Sequence, residues 1–247
     1  MIAPGPIGFI VPVALAQVMD QLVPAFTRAT GHRFTVVHRL NPEVPDHIAG
    51  GAAWDIALTN PWHVEEIIAA GRAASGSHRP FGRSPLALAL RGAADGPALS
   101  ADEDIAGALL AAERIAITGT GTSGGKFRTL ARALGVWQDI GHRVLPMAGG
   151  YPMKALLAGE VDMAALPLTN IAPVPGAFAT AVCRYGLGVH IDLSLCLSTT
   201  ASCAARDFAA WLVAPARDAR LEQLGANRFQ LPVPGVIPRA AEAPPDP

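Results

Sequence analysis

Between Ile7 and Gly71, short apolar runs alternate with amphipathic stripes, and this alternation leaves few folds open. Residues 7–11 form a compact apolar run suited to a buried strand. Val13, Leu15, Val18, Met19, Leu22, Val23 and Phe26 then recur at helical spacing, and Thr30-Gly31 supplies a stop. Pro24 falls inside that stripe, so the spacing predicts a kink or a helix restart there. Residues 33–38 alternate as a second strand, and Val44, His47 and Ile48 mark a short helix. Residues 54–58 read as a third strand, and residues 62–70 as a helix closed by Gly71. The order β-α-β-α-β-α demands a mostly parallel sheet with helices on its faces.

After an irregular polar stretch at 72–84, the same grammar resumes. Residues 85–90 (PLALAL) read as a strand and 105–112 as a helix. Residues 144–147 and 161–166 are further strands, with a helix opened by Tyr151-Pro152 between them. Residues 178–183 and 189–197 are returning strands, residues 204–212 are helical, and residues 221–229 form a final short helix or turn. Residues 240–247 read as a frayed tail. The two halves echo each other: a helix, a glycine, then an aspartate opening a strand, at Asp55 and again at Asp162.

Residues 114–137 carry the clearest chemical signal. Ile115, Ala116 and Ile117 form a strand, and residues 119–125 (GTGTSGG) a loop of glycines and hydroxyls. Phe127, Leu130, Ala131, Leu134 and Trp137 then define a helix, with Thr122 or Ser123 as its N-cap. Such a helix start offers backbone N–H groups and the positive end of a dipole, which favours an anion. Gly119-x-Gly121-x-x-Gly124 matches the dinucleotide fingerprint by letters. It lies mid-chain, however, and the next strand-like run ends at Pro146 and Met147 without the acid a ribose needs. A phosphate-binding P-loop would require glycine at Thr120 and a hydroxyl at Phe127.

Composition narrows the class. Hydrophobic residues make up 51% of the 247-residue chain and the net charge is −1, which supports a large core and no nucleic-acid face. The three cysteines show no paired spacing and read as buried free thiols. The seven histidines form no H-x-x-x-H or HExxH pair, so neither metal nor cofactor is expected. No apolar run is long enough to cross a bilayer. Residues 1–16 lack the basic start of a signal peptide, so the chain as written reads as cytoplasmic. A start further upstream would make it periplasmic.

Four segments, in order, resemble one family. Residues 26–36 are similar to the F-x-x-x-T-G-x-x-V opening of type II periplasmic binding proteins, and residues 48–57 to their I-x-x-G-x-x-x-D-V segment. Residues 115–137 and 155–162 resemble segments of the molybdate-binding branch. The resemblance implies a two-lobed α/β fold with a ligand cleft between lobes 1–83 plus 184–247 and 84–183. It places ligand contacts at Pro12, Asn41, Thr59, Asn60, Arg83, Ser84, Thr122, Ser123, Gly124, Tyr151 and Asn170.

Two donors usual in the molybdate branch are missing here: a serine after the first strand, where Val11-Pro12-Val13 stands, and a tyrosine near Leu166-Pro167. Arg83, with Trp62, Tyr151 and Asn60, points instead to an organic carboxylate, because a guanidinium pairs bidentately with that group. The leading expectation is a solute-binding protein for a small anionic ligand, partnered by an ABC permease if exported. One alternative is molybdate or tungstate binding. Another is a cofactor-free isomerase or lyase on a small di- or tricarboxylate such as aconitate, as in enzyme relatives of the fold. His63, His38 or Tyr151 would then be its base.

Overall fold

The computed structural model describes residues 5–231, so the expected frayed tail at 240–247 lies outside them. The chain divides into two compact units. The first takes residues up to Arg83, Asp192–Glu222 and the stretch from Asn227, and the second takes Ser84–Ile191 and Gln223–Ala226.

In the first unit, β1 (Ile7–Pro12) leads through a 3-10 turn into α1 (Ala16–Thr30). Then come β2 (Phe34–Arg39), α2 (Val44–Ala49), β3 (Ile56–Thr59) and α3 (Pro61–Ala69). Strand β4 (Arg79–Arg91) carries the chain into the second unit and β9 (His190–Leu197) returns it. Helices α8 (Cys203–Val213) and α9 (Asp218–Gln223) follow. The sheet order is β2-β1-β3-β9. β1 runs parallel to β2 and β3, and β9 closes antiparallel on β3, with Thr59 opposite Ser194.

Both faces of this sheet are covered. Ile10, Ala57 and Cys196, neighbours across three strands, pack with Val44, Ile48, Val64 and Ile67 of α2 and α3. Phe9 and Phe34 meet α1 and α8 through an aromatic cluster: Phe208 stands 5.4 Å from Phe9 and 4.6 Å from Phe34 between ring centroids. No helix restart occurs: α1 is one helix through Pro24. Pro24 has no N–H for the Asp20 carbonyl, and both residues lie on the exposed face of the helix, where such a loss costs least.

The second unit holds the rest of β4, then α4 (Asp102–Ala111), β5 (Ile115–Thr118), α5 (Thr122–Ala133) and α6 (Trp137–Ile140). Strand β6 (Val144–Met147), α7 (Tyr151–Ala158), β7 (Met163–Pro167) and β8 (Ala177–Val182) follow. Its sheet runs β8-β4-β7-β5-β6, with β5 parallel to β6 and β7 and with β4 antiparallel to β7 and β8. Alternate residues go to opposite cores. Leu86, Leu88, Ile115, Ile117, Met163 and Ala165 meet Phe127 and Leu130 of α5. Ala87, Ala89, Ala116, Ala164 and Leu166 meet Met153 and Leu156 of α7. Burial on both faces explains why these strands read as unbroken apolar runs.

Three local readings change. Strand β4 starts at Arg79, inside the stretch read as irregular, because its ladder tolerates polar residues where a side chain can reach solvent. The glycine–hydroxyl loop is only Gly119–Gly121 long, since α5 begins at Thr122 with Gly121 as N-cap. Cys183 and Cys196 are buried, and burial pushes both thiols up to about 12, but Cys203 is exposed.

The echoed aspartates have parallel roles. Asp55 accepts the N–H groups of Gly8 (2.8 Å) and Ser202 (3.1 Å). Asp162 accepts those of Glu113 (2.8 Å) and Arg114 (2.6 Å). Each carboxylate thus ties the start of its strand to backbone elsewhere in its own unit, and such charge-assisted bonds are the stronger kind.

His78 sets an acid limit. Its Nε2 is buried without a hydrogen-bond partner among the described residues. Burial, and then the neighbouring Arg79 charge, lower its pKa to about 4 from 6.5. The unfolded chain therefore binds a proton at His78 between about pH 6.5 and 4 that the folded chain refuses. Stability is fully present above that window and falls as pH drops through it. The expected loss is about 1–2 kcal/mol after allowance for partial solvent screening. Urea unfolding at pH 7 and pH 4.5 should show this slope flattened in His78→Phe; an unchanged slope would assign the acid loss to other groups.

Candidate functional site

In each unit the parallel strands end at a common edge, and the chain turns there into helix starts. In α/β folds ligands gather at such edges. In the first unit this edge gathers Pro12 at the end of β1, Asn41 after β2, and Thr59 and Asn60 after β3. Pro12 is buried and brings no N–H. The Thr59 hydroxyl donates to the Asn41 carbonyl at 3.0 Å. Asn60 precedes α3 but does not cap it with its side chain. Instead its Nδ2 donates to the Asp192 carbonyl at 2.8 Å.

Arg83 is engaged within its own unit. Its Nε and Nη2 reach Asp192 Oδ1 and Oδ2 at 2.6 and 2.8 Å, the bidentate fork that a carboxylate ligand would otherwise occupy. Its guanidinium lies 5.3 Å from the Phe229 ring centroid, and its backbone pairs both ways with Asn227. Asp192 is the residue the sequence reading missed. The available signal was an acid in the otherwise apolar run of β9, since a half-buried carboxylate in a strand needs a partner.

In the second unit the edge gathers Thr122, Ser123 and Gly124 after β5, Tyr151 after β6, and Thr169 and Asn170 after β7. Ser123 and Gly124 are buried in the first turn of α5. A Cβ on Gly124 would lie 1.9 Å from the Thr118 carbonyl oxygen, so only glycine lets this helix start sit against the end of β5. Neither Thr122 nor Ser123 serves as the N-cap. Tyr151 opens α7 with 56% of its surface exposed. Asn170 ends a 3-10 turn, Leu168–Asn170, and is buried.

Ser84 is fully buried, and its hydroxyl donates to the Gly225 carbonyl (3.0 Å) while accepting the Thr169 N–H (3.2 Å). Lys126 donates to the Gly188 carbonyl at 2.8 Å. Of the candidate bases, His63 pairs with Glu66 at 2.9 Å and His38 is exposed on β2.

Within each unit, then, helix starts, amide side chains and hydroxyls line the edge where the parallel strands end. The sequence profile describing bacterial extracellular solute-binding proteins matches residues 7–226. The chain belongs to this family.

Solved structures repeat this binding protein's fold at low sequence identity. The periplasmic molybdate-binding protein of Azotobacter vinelandii superposes with a TM-score of 0.76 at 17% identity, covering 91% of this chain and all of that one (100%). The sulfate-binding protein SubI of Mycobacterium tuberculosis H37Rv gives 0.66 at 14%, covering 92% and 88%. Iron-bound HitA of Pseudomonas aeruginosa gives 0.59 at 14%, covering 96% and 91%. No curated protein matches the chain in sequence. Among the described residues, no helix of the binding protein is long and apolar enough to cross a membrane.

Proposed function

We propose that this binding protein captures a small oxyanion of the molybdate or sulfate class and delivers it to an ABC permease. The observation that carries this reading is the engagement of Arg83 by Asp192. The expectation of an organic carboxylate rested on the Arg83 fork and on two missing oxyanion donors, and Asp192 engages that fork. What remains is a set of neutral donors. The first turn of α5 supplies backbone N–H groups and the hydroxyls of Thr122 and Ser123, and Asn170 adds an amide. Fixed dipoles of this kind hold a compact anion without a counter-charge. They suit an iron cation poorly, since N–H groups and the positive end of a helix dipole repel a cation.

Thermal unfolding with molybdate, tungstate, sulfate, citrate and aconitate tests the reading. An oxyanion at a hundredfold excess over its Kd adds about 2.7 kcal/mol, which in a chain of this size raises Tm by about 5–10 °C. Stabilisation by citrate or aconitate alone would replace this reading with the carboxylate one. Consumption of aconitate would make the protein an isomerase or lyase.

A further inference from the structure

Among the described residues, the chain's last visit to the second unit is four residues long, Gln223–Ala226, between stretches that belong to the first. Leu224 and Ala226 are almost wholly buried in it. Gly225 between them has φ 89°, a conformation that L side chains rarely adopt. A Cβ there would lie 2.7 Å from the Leu168 carbonyl carbon, 2.8 Å from its oxygen and 2.9 Å from its Cγ. The segment therefore rests directly on the turn Leu168–Asn170. The Ser84 hydroxyl bonds to both. Ser84 Oγ donates to the Gly225 carbonyl and accepts from the Thr169 N–H, with the Thr169 hydroxyl 3.3 Å away.

We propose that Gly225 is a positioning residue for solute binding: through Leu168 and Ser84 it sets where the Thr169-Asn170 turn stands at the strand edge. The inference rests on the oxyanion reading for the identity of the solute, and on geometry alone for the placement of the turn. Neither Gly225 nor its neighbours touch the solute in this account. They act on Asn170, which does. A side chain at 225 pushes Leu168 outward and moves the amide of Asn170 off its mark.

The test combines amide hydrogen exchange with titration calorimetry using molybdate, well below the Tm of every variant. Gly225→Ala should speed exchange at Thr169, leave the α5 amides unchanged, and weaken molybdate binding roughly tenfold, the equivalent of one misplaced hydrogen bond. Asn170→Ala should cost about tenfold in the parent but under threefold in the Gly225→Ala background, because the amide is already displaced. Ser84→Ala, which removes the hydroxyl and no bulk, should show the same non-additivity if Gly225→Ala does not fold. Unchanged Thr169 exchange, or full additivity with Asn170→Ala, overturns the proposal. A parent that binds no molybdate yet shows the exchange change leaves the turn's placement standing and overturns the oxyanion reading instead.

Discussion

Gly124→Ala should cost the protein about 3 kcal/mol of stability and most of its affinity for solute. The added carbon would sit 1.9 Å from the Thr118 carbonyl oxygen, so either α5 or the end of β5 must move by about 1 Å. Better helix propensity returns only about 1 kcal/mol of that. The movement falls on the first turn of α5, where the proposed anion donors are, so binding should drop by at least tenfold beyond any loss of folded protein. Gly125→Ala is the control. Nothing stands within 4 Å of its Cβ, so it should be neutral or more stable by up to about 1 kcal/mol. Urea unfolding and oxyanion titration of the two variants decide the matter. A Gly124→Ala protein as stable as the parent would mean that the helix start is not held against β5 as described.

Arg83→Ala should destabilise by about 2 kcal/mol, because it strands the Asp192 carboxylate in a site where that side chain is only 20% exposed. Asp192→Ala alone strands the guanidinium instead. The double variant should recover part of the loss, with a coupling of about 1–2 kcal/mol. The double variant should also bind oxyanion within about threefold of the parent, since the pair is removed with no change of net charge. Loss of binding in the double variant would return Arg83 to the role of direct anion ligand.

Much of this architecture was legible in the chain. The apolar runs of β1, β3, β5 and β7 and the stripes of α1, α5 and α8 encode elements directly, because each element buries a face against its neighbours in sequence. Their order implied a mostly parallel α/β sheet, and the four motif segments carried the resemblance to solute-binding proteins. The errors came where a residue's meaning depends on something distant. Gly124 looks like a loop residue by propensity, yet the close approach of Thr118 makes glycine obligatory there, inside a helix. Pro24 looks like a helix stop until its exposed face is known. Arg83 looked available because Asp192 lies 109 residues away. The pairing of Gly225 with Leu168 is invisible in sequence for the same reason.

The discontinuous path of the chain has a consequence for its synthesis. Most of the second unit, Ser84–Ile191, is one continuous stretch and can complete its sheet as it leaves the ribosome. The first unit cannot. Its strand β3 ends at Thr59, but its partner β9 runs to Leu197. At typical elongation rates of about 5–20 residues per second, one edge of β3 waits on the order of ten seconds for that partner. During that interval an unpaired apolar strand edge is open to other chains. The unit begun first is finished last, and during that interval a holding chaperone would shield its open edge.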